Sequence, residues 1–158
     1  RGKDQSEWEE EQEEIKFEAA SKKLNFEMKV LSNYESKLDS ILIDVKQKRR
    51  NDHIPTTTKE KLSPTEAADL LKKDYFNSIA DLDLSIKETS KQIQAIQKLL
   101  KKSIYKKIFD KLWIQGLKPY KTTVKDAKKE RGEIQKLRQF LIQQKDNPTN
   151  DPTQKQKE

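Results

Sequence analysis

The sequence predicts an all-α fold, an elongated bundle of long antiparallel helices. Three observations support this. Apolar residues recur every seven positions along the first third of the chain, as on a helix face that packs against other helices. Only three of the 158 residues are glycine, and the β-branched alternation typical of strands is absent. With 39% charged and 32% apolar residues, the chain can line a slender bundle but cannot fill a thick core.

The first predicted helix covers residues 6–50, and neither Gly nor Pro interrupts it. Two parallel files of apolar side chains run along it: Phe17, Leu24, Leu31, Leu38 and Val45 at sevens, and Ala20, Met28, Tyr34 and Ile41 beside them. The acidic start and basic end suit the helix macrodipole. We therefore expect one helix of about 65 Å, at ~1.5 Å per residue. For Trp8 we expect core packing, with a capping or exposed position as the alternative.

A long corner is predicted at 51–62, after the first helix. Pro55 holds Ile54 extended, and the threonine run that follows disfavours helix. The corner exceeds the ~2–8 residues that a connection in a helix bundle requires. Long corners often carry function. The alternative is that residues 51–62 are a tolerated insertion at the surface without a function.

The second predicted helix has the clearest start signal in the chain. Ser63 at the N-cap, Pro64 at the first helical position and Glu66 at the third form a capping box. Apolar residues again fall at sevens, namely Ile79, Ile86, Ile93 and Leu100. We expect one helix to about residue 101. The alternative is a break near Thr89, which would divide it into two helices and raise the helix number from four to five.

Two further helices complete the predicted bundle. The third covers 103–115 and is stopped by Gly116 and Pro119, since Gly supplies a left-handed cap and Pro cannot continue a helix. The last covers 120–145, and its inward face is expected to contain Val124, Ala127, Ile134, Leu137 and Leu141. Residues 1–145 are therefore predicted to form a single domain, followed by a disordered polar tail at 146–158.

The charge of the chain is unevenly distributed. The net charge is +7, but residues 1–20 hold eight acidic and three basic side chains, whereas residues 98–131 hold twelve basic and three acidic ones. A basic patch of this kind suits nucleic acid, glycosaminoglycan, anionic lipid or an acidic protein surface. We do not expect nucleic acid, because there is no recognition fold and no set of stacking aromatic residues.

The sequence offers few of the groups that catalysis needs. There is one histidine, His53, and no cysteine, and neither a Gly-rich phosphate loop nor a metal-binding pattern occurs. We therefore expect no enzyme, no cofactor and no metal. No apolar run reaches membrane-spanning length. Because Met28 is the only methionine, we expect the chain to be part of a longer protein, with any lipid anchor upstream.

Outward basic residues are the strongest candidates for a binding site. On the last helix, Lys129 lies about 160° from the inward-facing Ala127 and Lys128 lies on its flank. At the end of the first helix, Arg50 lies roughly 140° from the direction of Val45, and Arg49 lies closer to the core edge. Arg is a frequent anchor of protein interfaces. The alternative is an ordinary solvated face.

These segments resemble a known family. The KQKRRNDHIP segment, the Thr-rich corner and the KDAKKERGEIQKLRQFL segment look like the C-terminal domain of the borrelial fibronectin-binding lipoproteins. The resemblance implies an all-helical immune-evasion domain that binds the C1r serine protease within the complement C1 complex and blocks the classical pathway without covalent chemistry. It also implies a monomer on the extracellular face of the bacterial outer membrane, lipid-anchored through its parent protein and not itself inserted. Fibronectin binding in that family belongs to an upstream region that this chain lacks.

The resemblance also implies a set of partner-binding residues. An Arg at the end of the first long helix and a Lys on the last helix matter most, and they correspond here to Arg50 and Lys129. Arg49 and Lys128 are the alternatives one residue away. The neighbouring residues Asn51, Asp52, His53 and Lys125 complete the predicted surface. A break in the second helix near Thr89 would bring Arg50 and Lys129 to one end of the bundle, whereas a continuous helix would leave them tens of ångströms apart.

Two other functions are alternatives. The chain could be a surface adhesin that uses its lysines to bind glycosaminoglycan or another anionic host ligand. It could also be a coiled-coil segment that pairs with another copy of itself. The resemblance favours the protease inhibitor. The physical chemistry is compatible with it, since an exposed Lys or Arg on a rigid helix can occupy the acidic pocket of a trypsin-like protease while the helical backbone resists cleavage.

Overall fold

A computed structural model describes residues 4–55, 61–112 and 115–146. Within these ranges the chain forms five α-helices and one 3-10 turn: α1 (Gln5–Asn51), α2 (Pro64–Leu71), the turn Asp74–Asn77, α3 (Ser78–Leu99), α4 (Ser103–Leu112) and α5 (Lys118–Asp146). The prediction of an all-α bundle is confirmed. Trp113, the threonine run at 56–58 and the predicted tail from 147 onward lie outside the described residues.

The seven-residue file of α1 is buried everywhere except at its start. Leu24, Leu31, Leu38 and Val45 have no exposed surface, but Phe17 is 44% exposed, so its expected burial is wrong. The reason is the length of the neighbouring helix. Gln92 of α3 hydrogen-bonds Glu27 of α1, and α3 ends seven residues later, at Leu99. Because the two helices are antiparallel, α3 covers α1 only as far as about Ala20, which is the first buried residue of α1.

The predicted second helix is divided, but at residues 72–77 and not at Thr89. Thr89 is buried within α3, and its hydroxyl donates to the Ser85 carbonyl at 2.8 Å. The break turns Tyr75 and Phe76 into the core together, where their rings pack edge to face at 5.2 Å between centroids.

The capping box that starts this region is confirmed. The Ser63 hydroxyl accepts from the Glu66 backbone N–H at 3.2 Å, and the Glu66 carboxylate accepts from the Ser63 N–H at 3.4 Å. Pro64 is the first residue of α2. The short helix that follows packs against α5.

Contacts between the long helices define the topology. Arg49 contacts Tyr75 and Glu27 contacts Gln92, so α1 and α3 are antiparallel. Thr123 contacts Glu35 while Glu133 contacts Arg49, so α1 and α5 run parallel. The expected antiparallel arrangement therefore holds for α1 with α3, but not for α1 with α5. Because α1 and α5 are parallel, the middle of α5 lies beside the C-terminal end of α1.

The start and the inward face of α5 follow the sequence closely. Gly116 has a φ of 64°, as a left-handed turn requires. Pro119 lies inside the first turn of α5, where its missing N–H costs nothing. The five inward residues are all buried, namely Val124, Ala127, Ile134, Leu137 and Leu141. A sixth buried residue, Glu130, joins them.

Candidate functional site

The end of α1 presents Arg50 to solvent. Arg50 is exposed, and its Nη2 donates to Gln47 Oε1 at 2.8 Å. Gln47 Nε2 in turn donates to Asn51 Oδ1 at 3.3 Å. These exposed hydrogen bonds occupy only part of a guanidinium that carries five N–H donors. Arg50 therefore points outward, as predicted, and has donors left for an acidic partner.

The residues after Arg50 close the helix in a defined turn. The Ile54 N–H donates to the Arg49 carbonyl at 3.0 Å, and the His53 N–H donates to the Arg50 carbonyl at 3.2 Å. This is the paired bonding of a Schellman motif, with His53 at the left-handed position, φ 52°. Ile54 is buried just beyond it. The motif anchors the corner to the core and leaves Asn51 and His53 exposed and Asp52 half-buried.

Arg49, by contrast, points inward and joins three elements. Its Nη2 lies 2.8 Å from Glu133 Oε2 and 3.2 Å from Glu130 Oε1. The same nitrogen donates to the Tyr75 hydroxyl at 2.9 Å, and the guanidinium carbon lies 5.6 Å from the centroid of that ring. We call these four residues the Arg49 cluster. It ties α1 to α5 and to the 3-10 turn, so Arg49 has a structural role in the folded domain.

The two carboxylates of the Arg49 cluster are shifted in opposite directions. Burial raises the pKa of Glu130, although the charge of Arg49 opposes the shift. The hydrogen bond from Arg49 lowers the pKa of Glu133, with burial acting in the other direction. Burial also raises the pKa of Tyr75, which keeps its hydroxyl neutral and able to donate to Glu130 Oε1 at 3.4 Å. The Arg49 guanidinium is thus paired with Glu133, which is ionised and partly exposed, and with Glu130, which is buried.

Lys48 adds a second connection at the same end of α1. Its Nζ lies 3.2 Å from Asp44 and 3.0 Å from Asp74 of the 3-10 turn. The hydrogen bonds that Lys48 donates to Asp74 and Asp44 raise the pKa of Lys48, and the one to Asp74 lowers the pKa of Asp74. Both carboxylates are mostly exposed, so these ion pairs contribute little free energy. Like the Arg49 cluster, the Lys48–Asp74 pair links the end of α1 to the 3-10 turn.

The structure places Lys129 beside the Arg49 cluster. Lys129 is exposed and directly precedes Glu130, while Arg50 directly follows Arg49. Because Arg49 contacts Glu130 and Glu133, Arg50 and Lys129 lie at the same level of the bundle. They are therefore not separated by tens of ångströms along the bundle axis, and the break in the predicted second helix lies at 72–77 and not near Thr89.

Lys128 and Lys125 face a different neighbour. Both are exposed, and together with Lys121 they line a shallow groove of about 350 Å³ between α3 and α5, floored by Ile93 and Val124. The predicted partner-binding residues therefore fall into two groups. Arg50, the corner after it and Lys129 lie near the Arg49 cluster, and Lys125 and Lys128 lie on the α3 side of α5.

The partners of Arg49 were missed in the sequence. A signal for one of them exists: Glu130 falls three residues after Ala127 and four before Ile134, which is the inward spacing of a helix. A buried carboxylate needs a cation or a hydrogen-bond donor beside it, or it takes up a proton, and Arg49 was already placed near the core edge. Tyr75 and Glu133 carried no comparable signal, because their roles depend on the break at 72–77.

No protein-family model, curated protein or solved structure matches the chain. None of the described helices is long and apolar enough to cross a membrane. Among the same residues, no group of three or more His, Asp or Glu side chains is arranged to hold a metal ion.

Proposed function

We propose that this domain is a non-catalytic inhibitor that binds the C1r serine protease and so blocks the classical pathway of complement. One observation supports the proposal above the others. The Arg49 cluster holds the end of α1 against the middle of α5 and so sets two exposed cations, Arg50 and Lys129, at one level on rigid helices. The resemblance of the segments around them to the borrelial lipoprotein domain supplies the identity of the partner.

The chemistry of the corner suits an acidic target. Arg50 can form paired, charge-assisted hydrogen bonds to a carboxylate, and Lys129 offers a second point charge. A trypsin-like protease carries a carboxylate at the base of its specificity pocket. Arg50 and Lys129 both belong to helices, and a helical backbone cannot extend into a protease cleft as a substrate does. Occupation of the cleft therefore inhibits the protease without cleavage of the inhibitor.

The proposal places the parent protein, with its lipid anchor, on the extracellular face of a bacterial outer membrane. There it would meet complement in host serum, and inhibition of C1r would serve immune evasion. Retention of C1r from serum by the immobilised domain is the first measurement to make.

The decisive variant replaces both anchors, Arg50→Ala with Lys129→Ala. Truncation of one interface anchor costs ~2 kcal/mol or more, which is ~30-fold in affinity, so the double variant should weaken binding to the C1r protease domain by more than this, with loss of classical-pathway inhibition. Folding should be retained, because both side chains are exposed. Binding is measured by surface plasmon resonance and folding by thermal melting.

The matched control is Lys136→Ala with Lys145→Ala. It removes the same charge from residues that are also exposed, farther along α5 from the Arg49 cluster. Equal weakening by both pairs would mean that the attraction is diffuse. If C1r does not bind the unmodified domain at all, the proposed partner is wrong.

A second function is favoured by the groove between α3 and α5. Lys121, Lys125 and Lys128 line it together, as a site for the sulfates of a glycosaminoglycan would require. Binding of this kind weakens steeply with salt and tolerates single lysine changes. A heparin column separates the two proposals: if the polymer is the ligand, changing these three lysines to Ala lowers the eluting salt concentration, while the Arg50 and Lys129 pair matters less.

A further inference from the structure

Ile43 is a large apolar side chain that the bundle leaves exposed. It lies on the C-terminal half of α1 and is 60% exposed. At ~100° per residue, Ile43 and Arg50 point within roughly 20° of each other, about 10 Å apart along the helix. Gln47, which accepts a hydrogen bond from Arg50, lies between them. An apolar side chain and one of the proposed cationic anchors therefore share one face of α1.

Lys129 lies on the same side of the bundle as this face. Arg49 of α1 contacts Glu130 of α5 at 3.2 Å, which shows where the two parallel helices meet. From Arg49, the direction of Ile43 is turned by about 120° around the helix. From Glu130, the direction of Lys129 is turned by about 100° in the opposite sense. For two parallel helices, opposite turns from the line of contact lead to the same side of the pair.

The helix α3 covers the other side of this pair. Arg131 lies about 100° from Glu130, in the sense opposite to Lys129. Its Nη1 lies 3.1 Å from Asp83 of α3. The side that faces away from α3 is therefore the one that presents Ile43 and both cations. We call this surface the open face, and it consists of Ile43, Arg50 and Lys129.

The members of the open face are also close together along the bundle. Thr123 of α5 contacts α1 at position 35, and Glu130 contacts it at position 49. Ile43 lies between these two contacts, so its level is within about one turn of Lys129. The Arg49 cluster holds the two helices together at this level, so the open face is presented by two helices that are tied to each other.

The charge around Ile43 changes along the open face. Three exposed cations lie on its C-terminal side, namely Lys46, Arg50 and Lys129. Two exposed aspartates lie on its N-terminal side, namely Asp39 and Asp126. A matching surface has a carboxylate at one end of an apolar patch. A sulfated polysaccharide does not match, because the aspartates repel it and it offers no apolar patch for Ile43.

We propose that Ile43 is the apolar anchor of the interface that Arg50 and Lys129 form with an acidic protein partner. Interface anchors are central side chains that lose their water on binding, and the polar residues around them keep water out. Ile43, with charged side chains on both sides of it, has this arrangement. The partner would place an apolar patch over Ile43 and a carboxylate beside Arg50. This inference rests on the proposed function and adds an apolar contact to its charged ones.

Two isoleucines of α1 provide the test in the full chain. Ile43 and Ile15 are 60% and 59% exposed, but they lie about 42 Å apart at ~1.5 Å per residue. Ile43→Ser should weaken binding to the C1r protease domain ~10-fold or more, through faster dissociation. Ile15→Ser should leave binding unchanged, and Ile43→Leu, which keeps an apolar side chain, should retain it. Surface plasmon resonance measures both rates, and thermal melting checks folding.

Salt separates the apolar contact from the charged ones. Arg50→Ala should reduce the salt dependence of the association rate, whereas Ile43→Ser should leave that dependence as in the wild type. If binding is lost in the double variant of Arg50 and Lys129 but not in Ile43→Ser, this inference is wrong and the proposed function stands. Equal losses in the two serine variants would also overturn it. A wild-type chain that does not bind the protease would overturn both.

Discussion

The two ends of α1 differ in how the rest of the molecule holds them. At the C-terminal end, Arg49 and Lys48 bind carboxylates from α5 and from the 3-10 turn. At the N-terminal end, no residue of α1 before Ala20 is buried. Both ends carry regularly spaced apolar residues and dense charge. The difference shows that periodicity predicts which face of a helix could pack, and says nothing about whether a partner reaches it.

The physical reason is a mismatch in length. The 47 residues of α1 span about 70 Å, while the 22 residues of α3 span about 33 Å. An antiparallel neighbour of half the length can cover only half of the stripe. The short α4 covers part of the remainder, while Trp8, Ile15 and Phe26 stay exposed.

The largest expected effect comes from truncating equivalent positions in the two halves of α1. Leu31 and Phe17 belong to the same seven-residue file, but Leu31 has no exposed surface and Phe17 is 44% exposed. Leu31→Ala should lower the free energy of unfolding by ~2–5 kcal/mol, and Phe17→Ala by about 1 kcal/mol or less. Urea denaturation measures both.

The exposed Lys125→Ala is the reference for this pair, and should change the free energy of unfolding by no more than ~0.5 kcal/mol. If Phe17→Ala costs as much as Leu31→Ala, the N-terminal half of α1 is covered in solution. Self-association through this half would then have to be examined first, at several protein concentrations.

A smaller effect should appear in the Arg49 cluster and depend on pH. The pKa of Glu133 is lowered in the folded state by its bond to Arg49, so its contribution to stability is present above the unfolded pKa of about 4.3 and is lost as the pH falls through the folded value. Glu133→Gln should therefore cost about 1 kcal/mol or less at pH 7, since the group is partly screened by solvent. The difference between variant and wild type should shrink as the pH falls below the unfolded pKa and vanish only below the lowered pKa of Glu133 in the folded state.

Glu130→Gln should show the opposite trend with pH. The pKa of Glu130 is raised by burial, so the folded wild type gains stability relative to this variant as the pH falls and the carboxylate takes up a proton. Thermal melts of both variants from pH 3 to pH 7 are the measurement. Parallel profiles for the two variants would contradict the assignment of the ionised carboxylate to Glu133.

The smallest effect is expected where α1 ends. His53 holds a left-handed conformation, φ 52°, which costs an L-residue with a β-carbon about 1 kcal/mol or more relative to glycine. Removing that cost is partly offset by the greater freedom of glycine in the unfolded chain. His53→Gly should thus raise the free energy of unfolding by about 0.5 kcal/mol, whereas His53→Ala, which keeps the β-carbon, should not. A loss of stability in the glycine variant would show that the imidazole itself stabilises the corner.

Local rules predicted much of this molecule. The capping box at Ser63, the left-handed turn at Gly116 and the inward face of α5 each depend on residues within a few positions of one another, so chemistry along the chain is sufficient. The outward direction of Arg50 and Lys129 follows in the same way, from ~100° per residue around a helix whose inward face is known.

The boundaries of the second helix and the neighbours of Arg49 required the tertiary structure. The break falls at 72–77, where Tyr75 and Phe76 are both buried, and neither Gly nor Pro marks this position in the sequence. From the sequence alone, Arg49 is predicted to lie near the edge of the core. Only the packing of α5 parallel to α1 shows that Glu130 and Glu133 meet it, because a contact between residues more than eighty positions apart depends on the path of every helix between them.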